Sequence, residues 1–209
     1  MDIEIANPYV LKIMIAARPV DTISAVSKRI GVSYGWTYRW VVAMAKVGVF
    51  EKKGKAIVLN EKSPLYRRCM AFVRAAFGSD VAFRYRVVEW FGVRYCFTGT
   101  DAVFVWTDGG YNIARSRSCY PIYIKVRKSD RPVFEFCAKK LGKGAVFYKP
   151  VFAESFPVSV HNNMPVDRLE DTIAFMKKYV YNFQPALEMV QEMYGKRLGV
   201  RYKEVVTNV

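Results

Sequence analysis

The sequence has little of the material that metal and disulfide chemistry requires. It contains one histidine and four cysteines, and no two of the cysteines form a Cys-x-x-Cys pair. Structural zinc sites use cysteine and histidine clustered at short spacing, and no such cluster is present. We therefore predict no metal site, and we interpret the cysteines as small buried side chains rather than disulfide partners. They are Cys69, Cys96, Cys119 and Cys137.

Long apolar runs are also missing. A membrane-spanning helix requires about 18 consecutive residues that are almost free of charge, and the sequence contains no such stretch. Its first residues include Asp2 and Glu4, where a secretory signal would carry basic residues. We therefore expect a cytoplasmic protein that does not use a membrane as a partner.

The motifs of common catalytic sites are missing as well. There is no Gly-x-Ser-x-Gly motif, and Gly109-Gly110 is not followed by the lysine of a phosphate-binding loop. His161 stands beside two asparagines and has no evident nucleophile, so we interpret it as a loop or surface residue. Glu170 and Asp171 fall at the predicted start of a helix, where the helix dipole stabilises negative charge. We predict that the protein is not an enzyme and binds no cofactor.

What the sequence has in excess is positive charge. The formal net charge is +15, and 52% of the residues are hydrophobic, as in a globular protein. Residues 1–76 carry 13 Lys and Arg against 5 Asp and Glu, so this third holds more than half of the excess. A strongly basic surface favours polyanionic partners, chiefly nucleic acid.

The N-terminal third shows an ordered set of helix and hairpin signals. Asn7-Pro8 is typical of a helix start, and a second helix is predicted from about Asp21 to Ile30. Gly31-Val32-Ser33 then forms a turn, and Ser33 caps a third helix that ends at Gly48. Two short apolar runs around a Lys-Gly-Lys tip follow, which predicts a β-hairpin over residues 49–59.

The order helix, helix, turn, helix, hairpin resembles the winged helix-turn-helix family of DNA-binding proteins. The stretch that carries the resemblance best is TISAVSKRIGVSYGWTYRWVVAMAKVGVFEKKGKAIVL, and the likeness covers nearly all of residues 7–60. It implies a domain at residues 1–62 whose third helix enters the major groove of double-stranded DNA. Helical spacing predicts that Thr37, Val41 and Met44 face the core.

The predicted DNA contacts lie on the second helix, the third helix and the hairpin. Arg39 is suited to paired hydrogen bonds with guanine, and the hairpin lysines are suited to phosphates. The full set is Lys28, Arg29, Ser33, Tyr34, Trp36, Tyr38, Arg39, Lys52, Lys53 and Lys55. The aromatic start of the third helix leaves an alternative open, namely a winged helix that binds other proteins and does not read DNA.

A change of pattern follows residue 79. Residues 63–79 predict a connecting helix, and residues 80–209 mix strand and helix signals, so the predicted fold class is α+β. The stretch VRYCFTGTDAVFVW…ARSRSCYPIYIKV is similar to the opening of nucleotidyltransferase-fold domains. Where that family carries its metal-binding Asp-x-Asp, this chain has Tyr120-Pro121-Ile122-Tyr123, which implies a catalytically inactive domain. An active nucleotidyltransferase with other ligands remains a second alternative.

A basic winged helix before such a degenerate domain resembles AbiEi-type antitoxins. A further stretch that supports the likeness is NNMPVDRLEDTIAFMKKY, near the C-terminus. The resemblance implies an autorepressing transcriptional regulator that binds its operator as a homodimer and has a cognate toxin protein as a further partner.

Overall fold

The computed structural model describes residues 7–113, 115, 116 and 118–199. The first half is mainly helical, with three short strands. Its elements are α1 (Pro8–Ala16), β1 (Val20–Thr22), α2 (Ile23–Ile30), α3 (Tyr34–Lys46), β2 (Phe50–Lys53), β3 (Ala56–Leu59), α4 (Pro64–Ser79), α5 (Val81–Arg86) and a 3-10 turn (Val87–Phe91). The elements after it are β4 (Tyr95–Phe97), α6 (Thr100–Trp106), β5 (Tyr120–Arg127), α7 (Arg131–Lys140), β6 (Val146–Ala153), β7 (Ser159–His161), β8 (Met164–Val166), α8 (Leu169–Lys178) and α9 (Val180–Tyr194).

The helices and two separate sheets confirm the predicted α+β class. The chain divides into a first unit, residues 1–94 with 129–146, and a second unit, residues 95–128 with 147–209. This division differs from the predicted boundary after residue 79. Residues 80–94 and α7 pack within the first unit, although they lie beyond that boundary in the sequence.

Local signals set the ends of the first helices as the sequence predicts. The Asn7 side chain accepts hydrogen bonds from the backbone N–H of Tyr9 at 3.0 Å and of Val10 at 3.3 Å. Gly31 ends α2 with a φ of 64°, a left-handed conformation that glycine adopts without a steric penalty. Thr37, Val41 and Met44 are buried, which confirms the predicted inner face of α3.

The hairpin of β2 and β3 belongs to a three-stranded antiparallel sheet in the order β1-β3-β2. The sequence did not predict β1, because three residues are too few to show strand alternation. The first unit buries α1 against α2, α3, α4 and α7. Ile13, Met14 and Val26 are fully buried there, and burying each such side chain stabilises a fold by about 1.5–3 kcal/mol.

The last turn of α1 contains no basic residue of its own, and two cations from other helices satisfy its carbonyls. Lys140 of α7 donates from Nζ to three carbonyls, and Arg29 of α2 donates from Nη1 to a fourth at 2.7 Å. The acceptors of Lys140 are Met14, at 3.0 Å, Ile15, at 3.1 Å, and Ala17, and the acceptor of Arg29 is Ala16. Because C-terminal carbonyls carry partial negative charge, this arrangement ties α2 and α7 to α1.

The second unit is built on a five-stranded mixed sheet in the order β6-β5-β4-β8-β7. β4 pairs antiparallel with β5 and parallel with β8, and β7 and β8 form a hairpin. A buried ion pair joins Asp101 of α6 to Arg115 at 2.6 Å, and the second oxygen of Asp101 accepts the backbone N–H of Tyr123 at 2.7 Å. This pair fixes part of the loop before β5 to the sheet.

Two predicted helix starts in this unit are wrong, and one strand was not predicted. The residue pattern predicts a helix over residues 166–179. That helix begins only at Leu169, because Met164–Val166 form β8, which was not predicted. The last helix begins at Val180 rather than near Gln184, and it contains Pro185. Among the described residues, no helix has the length and low charge needed to cross a membrane.

The cysteines follow the prediction in part. Cys69, Cys96 and Cys137 are buried, and none of the four is in a disulfide. Cys119 is exposed in the loop before β5, so its predicted burial is wrong.

Candidate nucleic-acid interface

The outer face of α3 carries the residues that the sequence assigned to DNA contact. Ser33 caps the helix, and its hydroxyl accepts the backbone N–H of Trp36 at 3.4 Å. The Ser33 side chain is therefore engaged within the protein. Tyr34, Tyr38 and Arg39 are exposed, and Arg39 forms no ion pair with any described residue. Its guanidinium is thus available to a partner.

The two tryptophans of α3 differ in their exposure. Trp36 is 37% exposed, and its ring packs edge-on against Tyr9 at 5.6 Å and Trp40 at 6.3 Å. Trp40 is 5% exposed and belongs to the core. The aromatic start of α3 is therefore partly a packing feature that joins α3 to α1, and partly an exposed surface.

The hairpin of β2 and β3 presents a basic tip. Lys52, Lys53 and Lys55 are all exposed around Gly54. Among the described residues, the acid that forms an ion pair with one of these lysines is Glu51, whose carboxylate lies 3.4 Å from Lys53 Nζ. Both partners are more than half exposed, so water screens this pair and it contributes little to stability. The tip keeps a net positive charge.

One contact brings the hairpin and α3 together. Lys52 Nζ lies 5.3 Å from the centre of the Tyr38 ring, within the range of a cation–π interaction. Tyr38 in turn lies 6.1 Å from Tyr34, between ring centres. We call the exposed set Tyr34, Tyr38, Arg39, Lys52, Lys53 and Lys55 the α3–hairpin surface.

The structure corrects the prediction for Arg29. Its guanidinium forms an ion pair with Asp21, and the two side chains are 9% and 4% exposed. It also donates to the carbonyls of Ala16 and Ala25. Arg29 is therefore a structural residue with a largely buried side chain, and its guanidinium is engaged within the protein. Its neighbour Lys28 is exposed on α2 and keeps its predicted availability.

Sequence reasoning passed over one residue of this face. Lys46 is exposed in the last turn of α3 and lies seven residues, or two helical turns, after Arg39. Residues at that spacing share one side of a helix. The seven-residue spacing from Arg39 could therefore have identified Lys46. The predicted contacts, however, were limited to the first two turns of α3.

Asp130 and Asp167, two carboxylates of the predicted second domain, belong to different units. Asp130 lies in the first unit, where it accepts the backbone N–H of Arg94 at 2.9 Å. Asp167 follows β8 and accepts Lys125 Nζ at 2.8 Å, a pairing the sequence did not suggest. Within the described ranges, no group of three or more His, Cys, Asp or Glu side chains is placed to hold a metal ion.

His161 is less open than predicted. It ends β7, and its side chain is 18% exposed, with Nε2 lying 2.7 Å from Asp108 Oδ1. Its ring packs on Trp106 at 4.8 Å. The loop assignment is thus wrong, because the turn at Asn162-Asn163 closes a hairpin and places the histidine at its end.

Comparisons of the chain with protein family models, with curated proteins and with solved structures found no match. The winged-helix, nucleotidyltransferase-like and AbiEi-type resemblances stay predictions made from the residues alone.

Proposed function

We propose that residues 7–60 are a winged helix-turn-helix that binds double-stranded DNA, with α3 as the recognition helix and the β2–β3 hairpin as the wing. The observation that carries the proposal is the contact of Lys52 with Tyr38. It joins the exposed side of α3 to the basic hairpin tip, so that one surface offers groups for base edges and for phosphates. In helix-turn-helix proteins the recognition helix enters the major groove, and lysines beside it are suited to phosphate contacts.

The charges on this surface support the proposal. Arg39 on α3 and Lys52, Lys53 and Lys55 on the hairpin face solvent, and Glu51 is the acid beside them. Lys28 and Lys46 extend the positive charge along α2 and α3. Neutralising phosphates with such side chains releases counterions, which drives binding at low salt. Arg39 has the geometry to read guanine through two hydrogen bonds.

A protein-binding role is the second candidate, and the exposed aromatics favour it. Tyr34 is 54% exposed and Trp36 is 37% exposed, and such residues are enriched at protein interfaces. The two functions differ in their response to salt. Binding through aromatics persists at high salt, whereas binding through lysines to phosphates does not.

The narrower role follows from the sequence resemblance. Helix-turn-helix dimers bind paired half-sites, so we propose a transcriptional regulator that acts as a homodimer. Repression of its own two-gene operon and neutralisation of a toxin are the AbiEi-like form of this role. Co-expression with the product of the adjacent gene tests this role. If that product is toxic and this chain restores growth, the antitoxin role is supported; if toxicity persists, the antitoxin role is wrong.

Arg39→Ala tests base readout. The full chain is used to select a preferred duplex from a random pool, and binding is followed by fluorescence anisotropy. We expect the affinity for the selected duplex to fall about tenfold or more, because one paired contact to guanine is worth about 1–3 kcal/mol. Affinity for unselected duplex should change by no more than about twofold, because Arg39 is one of several cations on the surface.

Two further variants make this test specific. Lys53→Ala should weaken binding to selected and unselected duplex alike, because a phosphate contact carries no sequence information. Lys177→Ala, an exposed lysine on α8, should leave both affinities unchanged. If Arg39→Ala lowers the affinity for both duplexes equally, Arg39 does not take part in base readout.

A further inference from the structure

The first unit contains a concave site that shares no residue with the α3–hairpin surface. It is a cleft of about 470 Å³ between α4 and α7, with one side chain from the segment after β3. Its lining residues are Glu61, Tyr66, Arg67, Met70, Arg74, Phe136, Lys139 and Lys140. The volume falls within the range of about 300–1,000 Å³ that small-molecule sites occupy.

The charge of the lining points to an anion. Four of the lining residues are cationic and one is acidic. Lys140 is committed to the carbonyls at the end of α1. Arg67 and Lys139 are exposed, and neither forms an ion pair with a described residue. Like charges gathered around one cavity repel each other, and a bound anion relieves that repulsion.

Arg74 is held in place at the cleft by the backbone of α7 and of the residues after it. Its Nε donates to the carbonyl of Lys140 at 2.9 Å, which fixes the guanidinium against the C-terminal end of α7. The stem of Arg74 passes close to Gly142, where a Cβ would lie 3.3 Å from Arg74 Cδ. Gly142 also has a φ of +87°, so both its conformation and this close approach favour glycine. The Nη atoms of Arg74 form no hydrogen bond to any described residue.

The remaining walls are suited to a flat ring. Tyr66, Met70 and Phe136 line the cleft, and Lys140 Nζ lies 4.8 Å from the centre of the Phe136 ring. The hydroxyl of Tyr66 can donate to an anion, because a tyrosine with its ordinary pKa of about 10 is protonated at neutral pH. Glu61 offers a carboxylate for the amino or hydroxyl groups of a ligand.

We propose that this cleft binds a small phosphorylated molecule that carries a flat ring, of which a nucleoside monophosphate is the simplest kind. Arg67, Arg74 and Lys139 bind the phosphate, because guanidinium and ammonium groups form strong charge-assisted hydrogen bonds to phosphate oxygens. The ring packs against Tyr66 and Phe136. The site is concave and of ligand size, whereas duplex DNA is met by a projecting helix and hairpin.

Isothermal titration calorimetry of the full chain with AMP, GMP, CMP and UMP tests the proposal. No DNA is present, so the result does not depend on the proposed DNA binding. We expect at least one nucleotide to bind with a Kd below about 1 mM. The matching nucleoside and inorganic phosphate should each bind at least about tenfold more weakly, because each supplies only one of the two recognised parts.

Matched variants locate the binding in the cleft. Arg67→Ala and Lys139→Ala remove exposed side chains without ion pairs, so both variants should fold, and each should weaken nucleotide binding about tenfold. Arg68→Ala removes the neighbouring exposed arginine of α4, which does not line the cleft, and should have no effect.

Several results would overturn the proposal. Absence of binding by all four nucleotides would do so, as would equal effects of Arg67→Ala and Arg68→Ala. If inorganic phosphate binds as tightly as the nucleotides, ring recognition is wrong. If no nucleotide binds but Arg67→Ala weakens binding of duplex DNA, the cleft belongs to a nucleic-acid surface instead.

Discussion

Arg29→Ala is expected to destabilise the first unit by about 3–5 kcal/mol, the usual cost of removing one partner from a buried ion pair. The substitution leaves Asp21 charged and 4% exposed without its guanidinium. It also leaves the Ala16 carbonyl without the hydrogen bond that Arg29 Nη1 donates. Urea unfolding of the full chain, followed by tryptophan fluorescence, measures the loss, since Trp36, Trp40 and Trp90 all lie in this unit.

Lys28→Ala is the matched control, because it removes the adjacent cation of the same helix. Lys28 is exposed, so its loss should change the free energy of unfolding by no more than about 0.5 kcal/mol. Duplex affinity should respond in the opposite way. Among molecules that remain folded, Lys28→Ala should weaken DNA binding more than Arg29→Ala does. A folded, stable Arg29→Ala protein with weakened DNA binding would restore Arg29 to the phosphate-contacting set and contradict its structural role.

Lys140→Met is expected to destabilise the first unit by about 3 kcal/mol at pH 9.5, because the carbonyls at the end of α1 lose the Lys140 amine, which at this pH is a neutral group with two N–H donors. Methionine keeps the length of the buried stem and removes the ammonium group. Arg74 and Gly142 keep their backbone partners in this variant, so the loss reports on the capping of α1.

The pH dependence of this variant has a definite sign. Burial lowers the pKa of Lys140 to about 8, below its ordinary value of 10.5. Below pH 8 the folded protein bears the cost of a buried charge, and the unfolded chain does not. As the pH rises from 8 towards 10.5 the unfolded chain holds the extra proton, so the folded state gains stability.

Comparing the original protein with Lys140→Met separates the stability gained by deprotonation of Lys140 from the effects of other titrating groups. The free energy of unfolding of the original protein should rise relative to the variant by about 2 kcal/mol between pH 7 and pH 9.5. Parallel urea titrations at the two pH values measure the difference. A difference that stays constant or shrinks over this range would show that Lys140 is not a buried, easily deprotonated amine.

Features that depend on neighbours in the sequence were predictable. Asn7 and Ser33 act as helix caps, and Gly31 adopts a left-handed turn, because each effect involves residues within three or four positions. The exposure of Arg39 and the inward direction of Val41 likewise follow from helical spacing. The predicted hairpin also formed, because the Lys-Gly-Lys tip separates two apolar runs.

Features that depend on distant partners were not predictable. Arg29 looks like Lys28 in the sequence, and only folding places Asp21 and the end of α1 beside it. Lys140 bonds to carbonyls more than 120 residues away along the chain. Periodicity gives the face of a helix and says nothing about which distant element covers it, so the packing of α7 in the first unit had no sequence signal.

The same limit applies to the two sites. The contact of Lys52 with Tyr38 joins residues of a strand and a helix, and the cleft joins α4 to α7 across more than 60 residues. In both cases the residue types were visible in the sequence, but their juxtaposition was not. The charge excess predicts a polyanionic partner, and the fold decides which cations lie on one surface.

The most direct test of DNA binding is the salt dependence of duplex affinity, measured by anisotropy for the original chain and for the triple variant Lys52→Ala, Lys53→Ala, Lys55→Ala. We expect a plot of log K against log salt to fall steeply for the original chain. For the triple variant the slope should be shallower by about 0.9 for each lost phosphate contact, or up to about 2.7 in all. Absent or salt-independent binding by the original chain, or an unchanged slope in the variant, would contradict the proposed function.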